Sequence, residues 1–402
     1  MSAGMACKLA PAALSATLPA MGQLSVYIHF PWCLRKCPYC DFATSPIERD
    51  DVPGKAYADA VLRELSARAP SLDGHSLRSI FFGGGTPSLW DPRELGRVLS
   101  GIRGAFASAD DDLEITVECN PSSLDQKRAE ALCEAGVNRL SVGVQSLDND
   151  ELRFLGRLHD RKLALEALRA ASSACARVSA DLMFALPGQP RERFLGYVDT
   201  LLELGLSHVS AYALTIEPGT PFGSDARKGL LKQAPDEAYA ELFSGIEQRF
   251  GAAGLGHYEV SNYARPGEES LHNLHYWRGG SYLGLGAAAV GCLGEGGVGR
   301  RYRNHPDAKR YMARADSPSV EVFEEQLDAQ DLIREALMLG LRVQDGLDFA
   351  QLAQRVGVDP RRGREAALKR RLARGDVVFE GDRLQVPQSR WLMLDGIVAD
   401  LF

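Results

Sequence analysis

A chain of 402 residues with 25% charged and 45% hydrophobic residues has the make-up of an ordinary globular protein, long enough for one barrel-sized domain and a smaller one. Its net charge of -7 lacks the basic surplus that phosphate neutralisation requires, so no nucleic-acid partner is expected. Eight cysteines without a dense even pattern do not suit a secreted disulfide framework, and no apolar run approaches a membrane span, so a reducing, cytoplasmic setting is expected.

Residues 1–22 are Ala-rich, carry a single Lys8 and no arginine, and read as a flexible tail rather than a signal or transit peptide. A strand over 24–30 then runs into HFPWCLRKCPYCDF, which places Cys33, Cys37 and Cys40 at C-x-x-x-C-x-x-C spacing. A structural zinc site wants four ligands and a redox motif one pair, whereas three thiolates supply three corners of an iron-sulfur cube and leave its fourth iron open. Zinc with a distant fourth ligand, Cys119, Cys133 or a histidine, is the alternative. Four further cysteines, Cys119, Cys133, Cys175 and Cys292, lie in apolar segments and read as buried free thiols.

Further strands are expected at 77–83, 113–119, 139–145, 177–184 and 207–215, with helical periodicity at 52–69, 91–106, 125–135, 161–175, 191–205 and 235–253. Six βα units argue for a parallel sheet, and the α/β class expected for 23–255 is a partial (βα)6 TIM-type barrel. Polar and glycine motifs fall at the strands' C-terminal ends, where parallel folds place ligands. Three consecutive glycines, Gly83, Gly84 and Gly85, before Thr86 are explained if a ligand touches the backbone, or by a plain tight turn. Glu118, Asn120, Gln145 and Asp181 end successive strands; each alone could be a helix cap, but together they form one rim. Carboxylates there can accept from ribose hydroxyls or an ammonium, and Arg157 can clamp a carboxylate.

The stretch 256–327 is rich in Gly, His and aromatic residues and reads as irregular or β structure. It contains His257 and the run SLHNLHYW with His272 and His275. Histidine beside aromatics suits haem, although a packed aromatic corner is the plainer reading. Residues 328–402 show helical patterns at 328–341, 347–355 and 360–373, then a hairpin around Gly381 and Asp382: a C-terminal α+β, winged-helix-like module, an appearance that does not imply DNA binding.

The cysteine spacing resembles that of the radical-SAM superfamily, and residues 22–390 are similar to its coproporphyrinogen-oxidase-like branch. The resemblance implies a 4Fe-4S cluster on Cys33, Cys37 and Cys40, with S-adenosylmethionine (SAM) bound through its amino and carboxylate groups at the open iron. It implies that Tyr27, Gly84, Gly85, Thr86, Glu118, Gln145, Arg157 and Asp181 contact SAM, with Leu214 or Thr215 completing the adenine pocket. One electron from the reduced cluster would break a carbon-sulfur bond and leave a radical that abstracts hydrogen.

The HNxxYW run resembles the motif of HemW-type haem chaperones, which makes His272 the first haem-ligand candidate and His275 the second. Phe42 stands where coproporphyrinogen III dehydrogenases carry a further cysteine. Ala287 to Ala289 stand where HemW proteins usually have a histidine, so a possible ligand is missing there. The resemblance therefore implies a haem- and SAM-binding iron-sulfur protein that passes haem to an apo-haemoprotein acceptor, soluble or membrane-associated, and draws on an electron donor for its cluster. No catalytic residue is assigned. The alternative is an oxygen-independent coproporphyrinogen III oxidase or another radical-SAM enzyme.

Overall fold

The computed structural model describes residues 22–295 and 297–402; apart from Gly22, the expected tail 1–22 lies outside them. Six strands, β1 (Gln23–Phe30), β2 (Ser76–Gly84), β3 (Ser108–Cys119), β4 (Arg139–Gln145), β5 (Arg177–Phe184) and β6 (His208–Ala213), lie side by side in chain order, all parallel. Each is followed by a helix: α1 (Gly54–Arg68), α2 (Pro92–Ala105), α3 (Gln126–Glu134), α4 (Arg161–Ala174), α5 (Arg191–Glu203) and α6 (Asp236–Ala252). The pattern has a local cause. Leu95, Val98, Leu99 and Ile102 fall on one stripe of α2 and are buried against the sheet, while Asp91, Asp125 and Asp160 cap α2, α3 and α4 by accepting backbone N–H groups.

Beyond α6 the chain extends the sheet at both edges. β7 (Gly256–Glu259) and β8 (Asn262–Ala264) add antiparallel beyond β6. After helix α7 (Leu271–Trp277), β9 (Ser281–Leu285) returns across the molecule to lie parallel beside β1, followed by antiparallel β10 (Val290–Glu295), β11 (Val298–Asn304) and β12 (Glu321–Leu327). The full order, β12-β11-β10-β9-β1-β2-β3-β4-β5-β6-β8-β7, stays open, a partial barrel. The expectation of irregular or β structure for 256–327 needs a correction: the HNxxYW run is helical. Ser270 caps α7 by accepting from Asn273 N–H, and a buried carboxylate from β3 takes up two further N–H groups, described below.

The returning segment is held by a buried polar cluster on α1. Glu64 is 1% exposed and accepts from Gly286 N (2.9 Å), Asn304 Nδ2 (2.7 Å), the Tyr311 hydroxyl (2.7 Å) and Arg68 Nε (2.8 Å). The turn Ala287 to Ala289 sits here, buried, with Ala287 N–H donating to the Tyr57 hydroxyl at 2.9 Å. That turn is packing, and it lines neither of the cavities described next.

The C-terminal region comprises α8 (Ala329–Gly340), β13 (Leu347–Asp348), α9 (Phe349–Val356), α10 (Glu365–Ala373), β14 (Val378–Glu380), β15 (Arg383–Gln385) and α11 (Leu394–Ala399), with a small antiparallel sheet ordered β13-β15-β14. Its Ile333, Leu337 and Trp391 share one continuous core with the barrel.

Candidate functional site

The cysteine loop leaves the C-terminal end of β1. Trp32–Cys33 pairs in parallel with Ser45–Pro46, which brings the two ends of the loop together. Lys36 Nζ donates to the Phe42 carbonyl at 2.7 Å, and Cys40 N–H to the Cys37 carbonyl at 3.2 Å. All three thiols are half-buried and line one cavity of about 450 Å³. Burial pushes the Cys33 and Cys40 thiols up, so these groups hold their protons until a cation displaces them. Arg157 Nη1 points at Cys37 Sγ from 3.6 Å. Among the described residues no three His, Cys, Asp or Glu side chains converge tightly enough for a single metal ion. A four-iron cube spreads its ligands over separate corners, and three thiols around one cavity mouth fit that group.

The cavity opens at the C-terminal ends of the parallel strands, and Gly84, Gly85, Thr86, Glu118, Gln145, Arg157, Asp181 and Thr215 all line it. Leu214 stands behind, buried against Met183 and Phe222. The glycine run proves to be demanded by the protein as well as open to a ligand. Gly84 has φ +102°, and a Cβ there would stand 2.5 Å from the His29 ring; one on Gly85 would strike the Trp32 and Phe30 carbonyls. Among the described residues Gln145 is one of three non-glycine positions with positive φ, 68°. Backbone strain of this kind concentrates at functional sites.

Glu118 accepts Gly84 N–H at 3.1 Å, and its carboxyl is pushed up to about 8 by burial and then by the neighbouring Asp181. Asp181 is raised as well, by burial, and accepts from Ser141 Oγ at 3.2 Å. Arg157 donates Nη2–H to the Gly143 carbonyl at 2.7 Å, yet its buried Nε has no partner. Two carboxyls short of positive partners and a guanidinium with an idle donor suit a zwitterion that brings both charges.

Behind this cavity lies a chamber of about 260 Å³, whose lining shares Phe42, Gly84, Glu118, Ser141, Asp181 and Tyr212 with it. Tyr27 and His272 line the chamber. His272 is 1% exposed, stacks on Phe81 at 4.8 Å, and bonds through Nδ1 to the Ser79 hydroxyl at 2.8 Å. Its Nε2 has no partner. Burial and then the nearby His275 keep the ring neutral. His275 differs: its Nε2 is bonded to the Ser281 carbonyl at 2.7 Å, and its ring fills the space a Cβ on Gly280 would need.

Two contributors escaped sequence reasoning. His29 donates Nε2–H to the Ala43 carbonyl (3.1 Å) and accepts from the Tyr27 hydroxyl (3.0 Å), tying the strand to the far side of the cysteine loop; its place between Tyr27 and Cys33 was the available signal. Glu114, in the middle of β3 and 0% exposed, accepts His272 N–H at 3.0 Å and Leu271 N–H at 3.1 Å, and so seats the start of α7. Nothing local marked it. Of the four cysteines expected to be buried free thiols, Cys119 and Cys175 are buried, whereas Cys133 and Cys292 are half-buried; all four are free. No helix among the described residues is long and apolar enough to cross a membrane.

Comparison with known proteins agrees with this architecture. The model of the Radical SAM superfamily matches residues 27–201, and that of the HemN C-terminal domain matches 327–392. The solved structure of coproporphyrinogen III oxidase (HemN) from Escherichia coli superposes with a TM-score of 0.78 at 22% identity, covering 96% of this chain and 91% of that one, a likeness of fold. The heme chaperone HemW of Mycobacterium tuberculosis H37Rv is 35% identical over 401 residues, 99% of this chain and all of the relative. That of Escherichia coli K12 is 42% identical over 269 residues, 67% of this chain and 70% of its own. With the cysteine loop, the glycine run and the HNxxYW helix gathered on one sheet, the chain belongs to the HemW family of radical SAM proteins.

Proposed function

We propose that this protein is a haem chaperone: it binds a 4Fe-4S cluster on Cys33, Cys37 and Cys40, SAM beside it, and haem, which it passes to an apo-haemoprotein, with a separate electron donor serving the cluster. The observation that carries the haem reading is His272. A buried, neutral imidazole with one nitrogen held by a hydroxyl and the other idle is the arrangement of a metal ligand awaiting its metal. When bound and reduced, such a cluster supplies one electron to the sulfonium of SAM. In this reading Arg157 turns its idle Nε–H to the methionine carboxylate, Glu118 takes the ammonium, and Tyr27, Gly84, Gly85, Thr86, Gln145 and Asp181 shape the remaining contacts. Phe42, 55% exposed at the mouth, offers no thiol for a second chemistry.

The test is anaerobic reconstitution followed by parallel assays of haem retention and coproporphyrinogen conversion. Retained haem that moves to an apo-haemoprotein, without decarboxylation, is expected; conversion at ordinary enzymatic rates overturns the reading in favour of an oxidase. His272→Ala is expected to weaken haem binding about tenfold or more, roughly 1.4 kcal/mol, with cluster absorbance intact. An unchanged affinity and spectrum would move the ligand elsewhere.

Glu118 makes the SAM step pH-dependent. With its carboxyl raised to about 8, it is protonated at pH 7 in the empty site and must lose that proton to face a cation. SAM affinity should therefore fall as pH drops below 8. Calorimetry at pH 7 in two buffers of different ionisation enthalpy should show about one proton fewer released by Glu118→Gln than by the unaltered protein. Equal proton release would show that Glu118 does not ionise on binding.

A further inference from the structure

α7 also borders a second cavity, larger than the chamber and sharing Asn273 and Tyr276 with its lining, whose remaining residues have no role above. It encloses about 560 Å³ between α7, the sheet, α8 and α9, within the range of sites for sizeable organic ligands. Tyr276 and Trp277 of the HNxxYW run wall one side, and Leu332, Ala336 and Leu339 of α8 face them. Gly279, Gly280 and Gly294 also line it, with the Arg355 guanidinium beside Gly279 and the His275 ring against Gly280.

Two polar features stand in this apolar surround. On the sheet side, Tyr282, Cys292 and Arg301 form one cross-strand row over β9, β10 and β11, with Arg301 directly opposite Cys292 in register. Arg301 is already paired with Glu325 at 2.9 Å and with Glu335. Arg355 is not. It is half-buried, lies 3.2 Å from where a Gly279 Cβ would be, and makes no hydrogen bond or ion pair among the described residues. The carboxylate that acts on it through space, Glu335, is already bonded to Arg301, so a ligand carboxylate would give this half-buried guanidinium a partner of its own.

We infer that this cavity seats a tetrapyrrole carrying carboxylates, its ring between the aromatic pair of α7 and the apolar face of α8, one carboxylate on Arg355, and the Cys292 thiolate on the iron when the ring holds one. The inference rests on the haem reading and deepens it: α7 would separate two haem contacts, His272 towards the SAM chamber and this seat towards the C-terminal region. Apolar walls match the macrocycle, and an unpaired fork-shaped cation matches a propionate-type carboxylate. Thiolate and phenolate are both known haem ligands, and the row presents Cys292 and Tyr282 with Arg301 positioned to stabilise the thiolate. On coordination the thiol proton is released, and no electron moves.

The test uses the full chain and two probes. Iron-free protoporphyrin IX reports the seat without iron ligation, through quenching of Trp277 fluorescence, with Trp277→Phe as the signal control. Arg355→Glu should weaken that binding about tenfold or more, and Ala336→Trp, whose ring would fill the space between α7 and α8, should abolish it; Cys133→Ser, on α3, should leave it unchanged. With ferric haem, Cys292→Ser should remove the spectral signature of thiolate ligation while SAM binding stays as it was. Wild-type affinity for protoporphyrin in both Arg355→Glu and Ala336→Trp, with haem still retained, overturns the seat and leaves the chaperone reading standing. Protoporphyrin binding that follows these variants in a protein that never transfers haem supports the seat and sinks the chaperone reading.

Discussion

Cys37→Ala is expected to remove all iron-sulfur absorbance after anaerobic reconstitution while leaving the apo-protein folded. Cys37 is half-buried in a loop outside the main sheet, and its side chain contributes to the apo-structure chiefly the 3.6 Å contact from Arg157. Truncating it should cost less than about 1 kcal/mol, as for surface changes away from core features. Its loss from the cluster is another matter, because three thiolates leave no spare ligand: Cys119 is buried with its thiol on the Val117 carbonyl at 3.6 Å. Cys133→Ser, altering a thiol on α3 away from the loop, should reconstitute like the unaltered protein. Circular dichroism and thermal melting of the apo-forms check the fold, and visible absorbance and bound iron check the cluster. A Cys37→Ala protein that still assembles the cluster would rule out this ligand set.

Much of the barrel was legible because each unit carries its own instructions. Short strand-like runs and helical periodicity located β1 to β6 and α1 to α6 within a few residues, since a βα unit buries its own stripe against its own strand. β9 was not legible as the parallel neighbour of β1. Ser281–Leu285 is short and contains Gly284, where a Cβ would collide with the Val290 carbonyl, and its partner lies more than 250 residues earlier, so no local pattern encodes the pairing. β3 begins earlier than its apolar run, because Asp110 and Asp112 at its start are held by Arg78 rather than by burial. At the site, the motif residues converge on one cavity as their order implied. The groups that hold them do not announce themselves: Glu114 and Glu64 sit among strand and helix residues as ordinary acids, and only the folded chain shows that both are buried.

Glu114→Ala should be the most destabilising single change in the haem-motif region, by about 3–5 kcal/mol, the loss typical when one partner of a buried ion pair is removed. Its carboxylate receives Arg177 Nη1 at 2.9 Å, lies 3.9 Å from Arg139 Nε, and accepts the first two N–H groups of α7. Alanine leaves the buried Arg139 without its anion, the half-buried Arg177 with Glu268 alone, and the first two N–H groups of α7 without acceptors, penalties that add in the same direction. Because Arg177 also donates Nη2–H to the Glu269 carbonyl at 2.7 Å, the loop leading into α7 loses its anchor as well. The change acts on His272 through the backbone, so haem affinity should fall while cluster reconstitution, on the opposite side of the chamber, is retained. Glu114→Gln keeps an oxygen for the helix N–H groups and should recover part of the haem binding but little of the stability, since it restores no charge. Denaturant melts of the apo-protein at low and high salt check the pair: a buried interaction should be nearly salt-independent. A Glu114→Ala protein that melts within about 0.5 kcal/mol of the unaltered one, a change typical of surface sites, and binds haem equally well would show that α7 is seated by its own packing alone.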